Sequence, residues 1–258
     1  MTRNFQSRED YERYIDSLPE EAREQARKMG ELFKPWESLH PDLAEWVYED
    51  ELGAHLKHPL VFDAFYVPGM RDGMLNDTYE AKRRAVANAI DRENWAEFII
   101  LHERPYRLEA LYQISDQIED DCKFWRLVTD VWTDTENARQ NYDEWEELFA
   151  SERSCRESMM NEEEQAKLAS LSSEIRIYRG FRFKEDEYDG IDGFSWTLSR
   201  DRAIWFAKRF AGAFEDTPQI ATAYVRKADV IAYLNGRGED EILVLPTNLM
   251  KIIERRSL

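Results

Sequence analysis

Three short stretches in the last third of the chain carry side chains suited to chemistry. Tyr178-Arg179-Gly180 closes a run that alternates apolar and charged residues. An arginine fork at a strand end can make a bidentate contact with a phosphate. A glycine beside it lets a planar ligand approach the backbone. In Phe194-Ser195-Trp196-Thr197-Leu198-Ser199, period-2 alternation puts Ser195, Thr197 and Ser199 on one face. A hydroxyl there can hold a carboxylate or a ribose hydroxyl in place. Glu239 and Glu241 share one face where Gly236-Arg237-Gly238-Glu239-Asp240-Glu241 opens an apolar strand. Neighbouring carboxylates repel, and that cost points weakly to function. Singly, each stretch has an ordinary reading: a strand exit, a half-buried strand, acidic punctuation at a sheet edge.

Together they form an order: Arg on one strand, Ser-x-Thr on the next with a helix behind it, then Glu-x-Glu opening a later strand. This order resembles the Arg–Ser–Glu branch of the ADP-ribosyltransferase superfamily, which includes cholera-type and clostridial toxins. Ser195 to Ser199, followed by Ala203-x-x-Phe206-Ala207 and then by Gly236 to Pro246, is similar to bacterial and phage proteins with such a domain. The stretch Val131 to Trp145 resembles regions that precede the domain in that group. The middle motif is Ser-Trp-Thr where the family has Ser-Thr-Ser, and Ser195 follows Arg179 more closely than in toxins with a helix between these strands.

The resemblance implies a role for each matched residue. Arg179 would bind NAD+ phosphate or ribose and belong to the catalytic set. The Gly180 backbone would hold the nicotinamide amide. Ser195 would orient the catalytic glutamate, and Thr197 would support the same strand. Phe206 would join the NAD+-binding residues. Glu241 would hydrogen-bond the nicotinamide-ribose 2′-hydroxyl and stabilise positive charge developing on the sugar, an interaction strengthened only in the transition state. Glu239 would position or deprotonate the acceptor. NAD+ is then a substrate, and no metal is expected. The implied activity is mono-ADP-ribosylation of a macromolecule, with protein arginine favoured because Glu239 suits a guanidinium. The alternatives are a nucleic-acid base as acceptor, hydrolysis of NAD+, or an inactive binding module. A toxin, defence effector or phage weapon is the implied setting, with a neutralising antitoxin or host protein as a possible partner.

These residues need elements to hold them. Residues 1–170 read as mostly helical. Glu20 to Phe33 is rich in helix formers, with Ala22, Ala26, Met29 and Phe33 at helical spacing, and Pro35 ends it. Pro41-Asp42 starts a second helix with Leu43, Trp46 and Val47 on one face. Residues 55–78, with Pro59, Pro68, Gly69 and Gly73, read as loop. Helix returns over Tyr79 to Leu101 and from Leu108 to Ile118. Cys122 to Trp132 is too apolar for a surface helix and belongs to a core. From residue 174 the pattern becomes strand. Strands are expected over Glu174 to Arg179, Gly193 to Leu198, Ile220 to Tyr233, Glu241 to Leu245 and Lys251 to Arg256. One short helix follows Ser199, with Ala203, Phe206, Ala207 and Phe210 inward. Helices first and strands later mean α+β: a helical domain over 1–170, then an ADP-ribosyltransferase-like split β-sandwich over 171–258.

Composition narrows the class. Eight Trp, 12 Tyr and 13 Phe exclude a disordered chain. No apolar run reaches the ~20 residues that span a bilayer, and the first residues lack the apolar core of a secretion signal, so no membrane partner is expected and a cytoplasmic location is. Cys122 and Cys155 lack CxxC spacing, so neither a disulfide nor a zinc site is expected. His55 and His58 are three apart, but capping or exposed histidines are the favoured reading. Residues 174–258 hold 14 Lys and Arg against 14 Asp and Glu, so the net charge of −18 lies wholly in 1–173. That acidic part reads as a solvated helical surface which repels phosphate backbones, and the neutral remainder leaves local nucleic-acid contact open.

Overall fold

The computed structural model describes residues 5–183, 190–209 and 217–257. The chain divides after Asp116 into two compact units. The first opens with α1 (Arg8–Asp16) and α2 (Glu20–Phe33), and α2 stops at the left-handed Lys34 just before Pro35. α3 (Pro41–Ala44) is one turn. A three-stranded antiparallel sheet follows, made of β1 (Val47–Asp50), β2 (Gly53–His58) and β3 (Val61–Tyr66). Then come α4 (Asp72–Asp91), α5 (Trp95–Leu101) and α6 (Arg107–Ile114).

This sheet corrects two expectations, the helix through Trp46 and Val47 and the loop across 55–78. Pro59 is the reason for the second. It does not break a segment but sits with Leu60 in the turn between the paired His58 and Val61, where its fixed φ suits the first turn position. Leu56, Val61 and Tyr66 then pack on Leu43, Leu75 and Tyr79. The two nearby histidines serve the hairpins. His55 Nε2 lies 2.9 Å from Asp50 Oδ1, and His58 Nδ1 accepts the Leu60 amide at 3.0 Å.

The second unit begins at Gln117, so the change from helix to strand near 170 lies inside it. Its helices are α7 (Asp121–Asp134), α8 (Tyr142–Ala150) and α9 (Glu162–Ser170). Asp120 caps α7 by accepting the Cys122 and Lys123 amides at 2.9 and 3.0 Å. The inward face of α7 buries Phe124, Trp125, Leu127, Val128, Val131 and Trp132. Trp132 packs edge-on against Trp145 and Phe149 of α8, with ring centroids 5.0 and 5.2 Å apart. Cys122 and Cys155 form a disulfide, with Cα atoms 5.0 Å apart. This corrects the expectation of unpaired cysteines. Their spacing of 33 residues hid a contact made when the chain after α8 returns to the start of α7. There the Ser154 amide donates to Asp121 and the Trp125 indole donates to the Ser154 carbonyl.

The sheet of this unit contains β4 (Glu174–Phe183), β5 (Ser195–Thr197), β6 (Thr217–Arg226), β7 (Val230–Leu234), β8 (Glu241–Val244) and β9 (Leu249–Ser257), with α10 (Arg200–Lys208) between β5 and β6. The strand order is β7-β8-β5-β4-β6-β9, and every pairing is antiparallel. Helices with antiparallel sheets make the fold α+β. β4 and β6 pair along their full lengths, whereas β4 meets β5 only where Tyr178 faces Thr197. Ser199 caps α10 by accepting the Arg202 amide at 3.2 Å. Ala203 and Ala207 are buried on its inner face, Phe206 is half-buried, and Phe210 lies outside the described residues. A Cβ on Gly180 would stand 1.8 Å from the Ala203 carbonyl oxygen. Gly180 therefore lets α10 lie directly on β4. No described helix is long and apolar enough to cross a membrane.

Candidate functional site

Glu241 is the centre of the site. It opens β8, opposite Thr197 of β5 on one side and Leu234 of β7 on the other, so two strands fix its backbone. The residue is 4% exposed. A buried carboxylate needs partners, and three are present. The Ser195 hydroxyl donates to Oε1. The Trp132 indole Nε1–H donates to the same oxygen at 3.2 Å. Arg237 Nη2 stands 3.7 Å from Oε2. Burial pushes the Glu241 carboxyl above its ordinary value. Ser195, the charge of Arg237 and Trp132 pull it back, and Glu239 adds to the rise.

Glu239 approaches the same place from the loop before β8. Asp240, between the two glutamates, has φ 49°. This left-handed residue interrupts the strand alternation, so Glu239 is placed by the loop and not by the pleat. The loop is tied down at several points. Thr197 Oγ1 donates to the Glu239 carbonyl at 2.7 Å, Leu198 N donates to the Asp240 carbonyl at 3.0 Å, and the Tyr233 hydroxyl donates to Asp240 Oδ1 at 2.6 Å. Arg202 Nη2, from the first turn of α10, donates to the Gly238 carbonyl at 2.8 Å. Thr197 thus supports the loop that carries Glu239.

Arg179 reaches the site from β4. Its Nε donates to the Gly190 carbonyl at 2.7 Å, and Nη1 donates to the Ser195 carbonyl. The guanidinium lies flat against Gly193, where a Cβ would stand 2.1 Å from Nη2. Burial pulls Arg179 down to about 10, while the charges of Asp192 and Glu241 hold it up. It remains a cation at neutral pH.

Arg179, Gly180, Ser195, Thr197, Phe206, Glu239 and Glu241 all line one cleft of about 400 Å³. A second hollow of about 340 Å³ adjoins it and shares Glu136, Arg179, Arg182 and Ser195. The cleft carries charge of both signs. Arg179, Arg182 and Arg209 line it together with Glu136, Glu239 and Glu241, and Tyr178, Phe181 and Phe206 add apolar surface. Such walls suit a ligand that joins an anionic group to a cationic, flat one.

Sequence reasoning missed Trp132, Glu136 and Arg237. Trp132 looked like plain core because its apolar neighbours recur at helical spacing. Glu136 lies in a polar stretch without a motif, and Arg237 between two glycines. Nothing local reports that Trp132 and Arg237 turn toward Glu241 or that Glu136 lines the cleft. Among the described residues no group of three His, Cys, Asp or Glu could hold a metal ion. No family model, no curated protein and no solved structure matches the chain.

Proposed function

We propose that this cleft binds NAD+ and transfers its ADP-ribose to a macromolecular acceptor, an arginine side chain of a protein being favoured. The observation that carries the reading is the Ser195 hydroxyl donating to the buried Glu241, in a cleft that Arg179 also lines. A carboxylate fixed by a hydroxyl can stabilise a sugar cation without reorganising as the charge develops. A lining with both signs of charge suits a dinucleotide with an anionic pyrophosphate and a cationic nicotinamide ring. On this reading Arg179 holds a phosphate or ribose, and Gly180 and Phe206 bound the nicotinamide side. Ser195 orients Glu241, and Glu241 holds the ribose 2′-hydroxyl. Thr197 keeps Glu239 in reach of the acceptor. The sheet also fits a split β-sandwich. Its two three-stranded halves, β9-β6-β4 and β5-β8-β7, pair through one described backbone position, Tyr178 opposite Thr197.

The test is incubation with adenylate-labelled NAD+ and a cell extract, followed by protease or nuclease. Label released by protease and resistant to nuclease supports the arginine reading. Label lost only to nuclease assigns a nucleic-acid acceptor instead. Free ADP-ribose without labelled polymer makes the protein an NAD+ hydrolase, and intact NAD+ leaves a binding module. If the acceptor is vital, expression is toxic to the host cell and Glu241→Gln relieves the toxicity; equal toxicity of the variant contradicts that link.

A further inference from the structure

Arg237 stands where an acceptor would. Its Nη2 is 3.0 Å from Glu239 Oε2 and 3.7 Å from Glu241 Oε2, so one guanidinium nitrogen lies between the two carboxylates of the Glu-x-Glu pair. Nη1 donates to the Thr133 carbonyl at 2.8 Å, which fixes the plane of the fork. The side chain is nonetheless 47% exposed. The loop around it is open, since a Cβ built at Gly236 or at Gly238 meets no atom within 4 Å. An arginine held this way lies against the two carboxylates that line the cleft and is free of crowding on its outer side.

We infer that Arg237 is an ADP-ribose acceptor in cis, so that the protein modifies its own acceptor loop; this rests on the NAD+ reading of the same cleft. With the ribose against Glu241, Nη2 would face C1′. Glu239 takes a proton from Nη2, and the electron pair left on nitrogen forms the N–C1′ bond. The C1′–nicotinamide bond breaks, and its electron pair neutralises the pyridinium ring. The products are ADP-ribosyl-arginine, nicotinamide and one proton, which Glu239 returns to solvent. Because nucleophile and electrophile are held together, the step is intramolecular and needs no encounter between chains. A protein acceptor must first displace Arg237 from Glu239, and a modified Arg237 leaves that seat filled.

The experiment uses the full chain and labelled NAD+ with no other protein. Nicotinamide release is followed beside peptide mapping of the ADP-ribosylated residue. The expected result is one ADP-ribosyl group per chain on Arg237, formed at a rate per molecule that stays constant over a hundredfold range of protein concentration. Arg237→Lys, which keeps the charge beside Glu239, drops the label on that peptide at least tenfold. Three results overturn the inference while leaving the NAD+ reading intact: nicotinamide release with Arg237 unmodified, labelling whose rate per molecule rises with protein concentration, or label persisting on the same peptide in Arg237→Lys. No nicotinamide release from the unmodified sequence overturns both.

Discussion

The indole Nε1–H of Trp132 and the carboxylate of Glu241 are joined by a 3.2 Å hydrogen bond between residues 109 positions apart. Trp132 belongs to α7, and its ring is clamped by Trp145 and Phe149. The helices ahead of the sheet therefore do more than cover it. They deliver a donor to the buried carboxylate on which the proposed chemistry depends.

Trp132→Phe keeps most of the packing and removes that donor. The Glu241 carboxyl then rises further, because Trp132 is one of the groups that favour its ionised form. The acid limb of the nicotinamide-release profile is expected to move to higher pH. A hydrogen bond to a charged group contributes about 1.5 kcal/mol or more, so the loss at the acid end is roughly tenfold. An unshifted limb with a uniformly lower rate would assign Trp132 to packing alone.

Glu241 also predicts a pH-dependent stability difference. Its carboxyl is raised in the folded chain, chiefly by burial. The fold thus disfavours the charged form, and stability is lost as pH rises through the raised value. Glu241→Gln removes that loss. The variant should melt higher than the parent at neutral pH, with the gap closing below the ordinary carboxylate value of about 4. Paired thermal melts across pH check this, and a variant that is less stable at neutral pH contradicts the direction.

Two glycines should fail in different ways. A Cβ on Gly180 runs into the Ala203 carbonyl, part of the α10 backbone, so Gly180→Ala must push a helix off a strand. Overpacking of that kind costs about 1–3 kcal/mol or more, seen as a lower melting temperature. A Cβ on Gly193 meets the Arg179 guanidinium instead, and a side chain can shift. Gly193→Ala should raise the KM for NAD+ severalfold with a smaller change in melting temperature. Equal thermal losses for the two variants would count against this division.

The Cys122–Cys155 bridge closes a loop of some 33 residues, for which chain entropy gives about 4 kcal/mol at most. Reductant, or Cys122→Ser with Cys155→Ser, should lower the melting temperature. Thiol titration of the unfolded chain should find no free thiol before reduction. Two free thiols and no reductant effect would mean the bridge does not form in solution.

The parts of the site legible in the sequence are those on which neighbouring residues act together. Ser195 and Thr197 alternate along a strand, Ser199 caps the helix that follows, and Glu241 opens an apolar run; each pattern is short-range and follows from backbone geometry. The β2–β3 hairpin is hidden in the sequence because Pro59 reads as a breaker, although the same restricted φ builds a hairpin turn. The cysteine pair, the Trp132 bond and the approach of α10 to Gly180 all depend on elements distant in sequence. Arg237 is different again. It is only a few residues from Glu241, but its direction is set by the Thr133 carbonyl and the two glutamates, which no periodicity describes.

The central claim is that Glu241 stabilises the breaking nicotinamide–ribose bond. Single-turnover release of nicotinamide from NAD+, measured for the parent protein and for Glu241→Gln beside the Kd for NAD+, tests it most directly. The account predicts a rate loss of roughly 10²- to 10³-fold with the Kd changed only a few-fold. Release that is absent from the parent protein, or undiminished in Glu241→Gln, contradicts it.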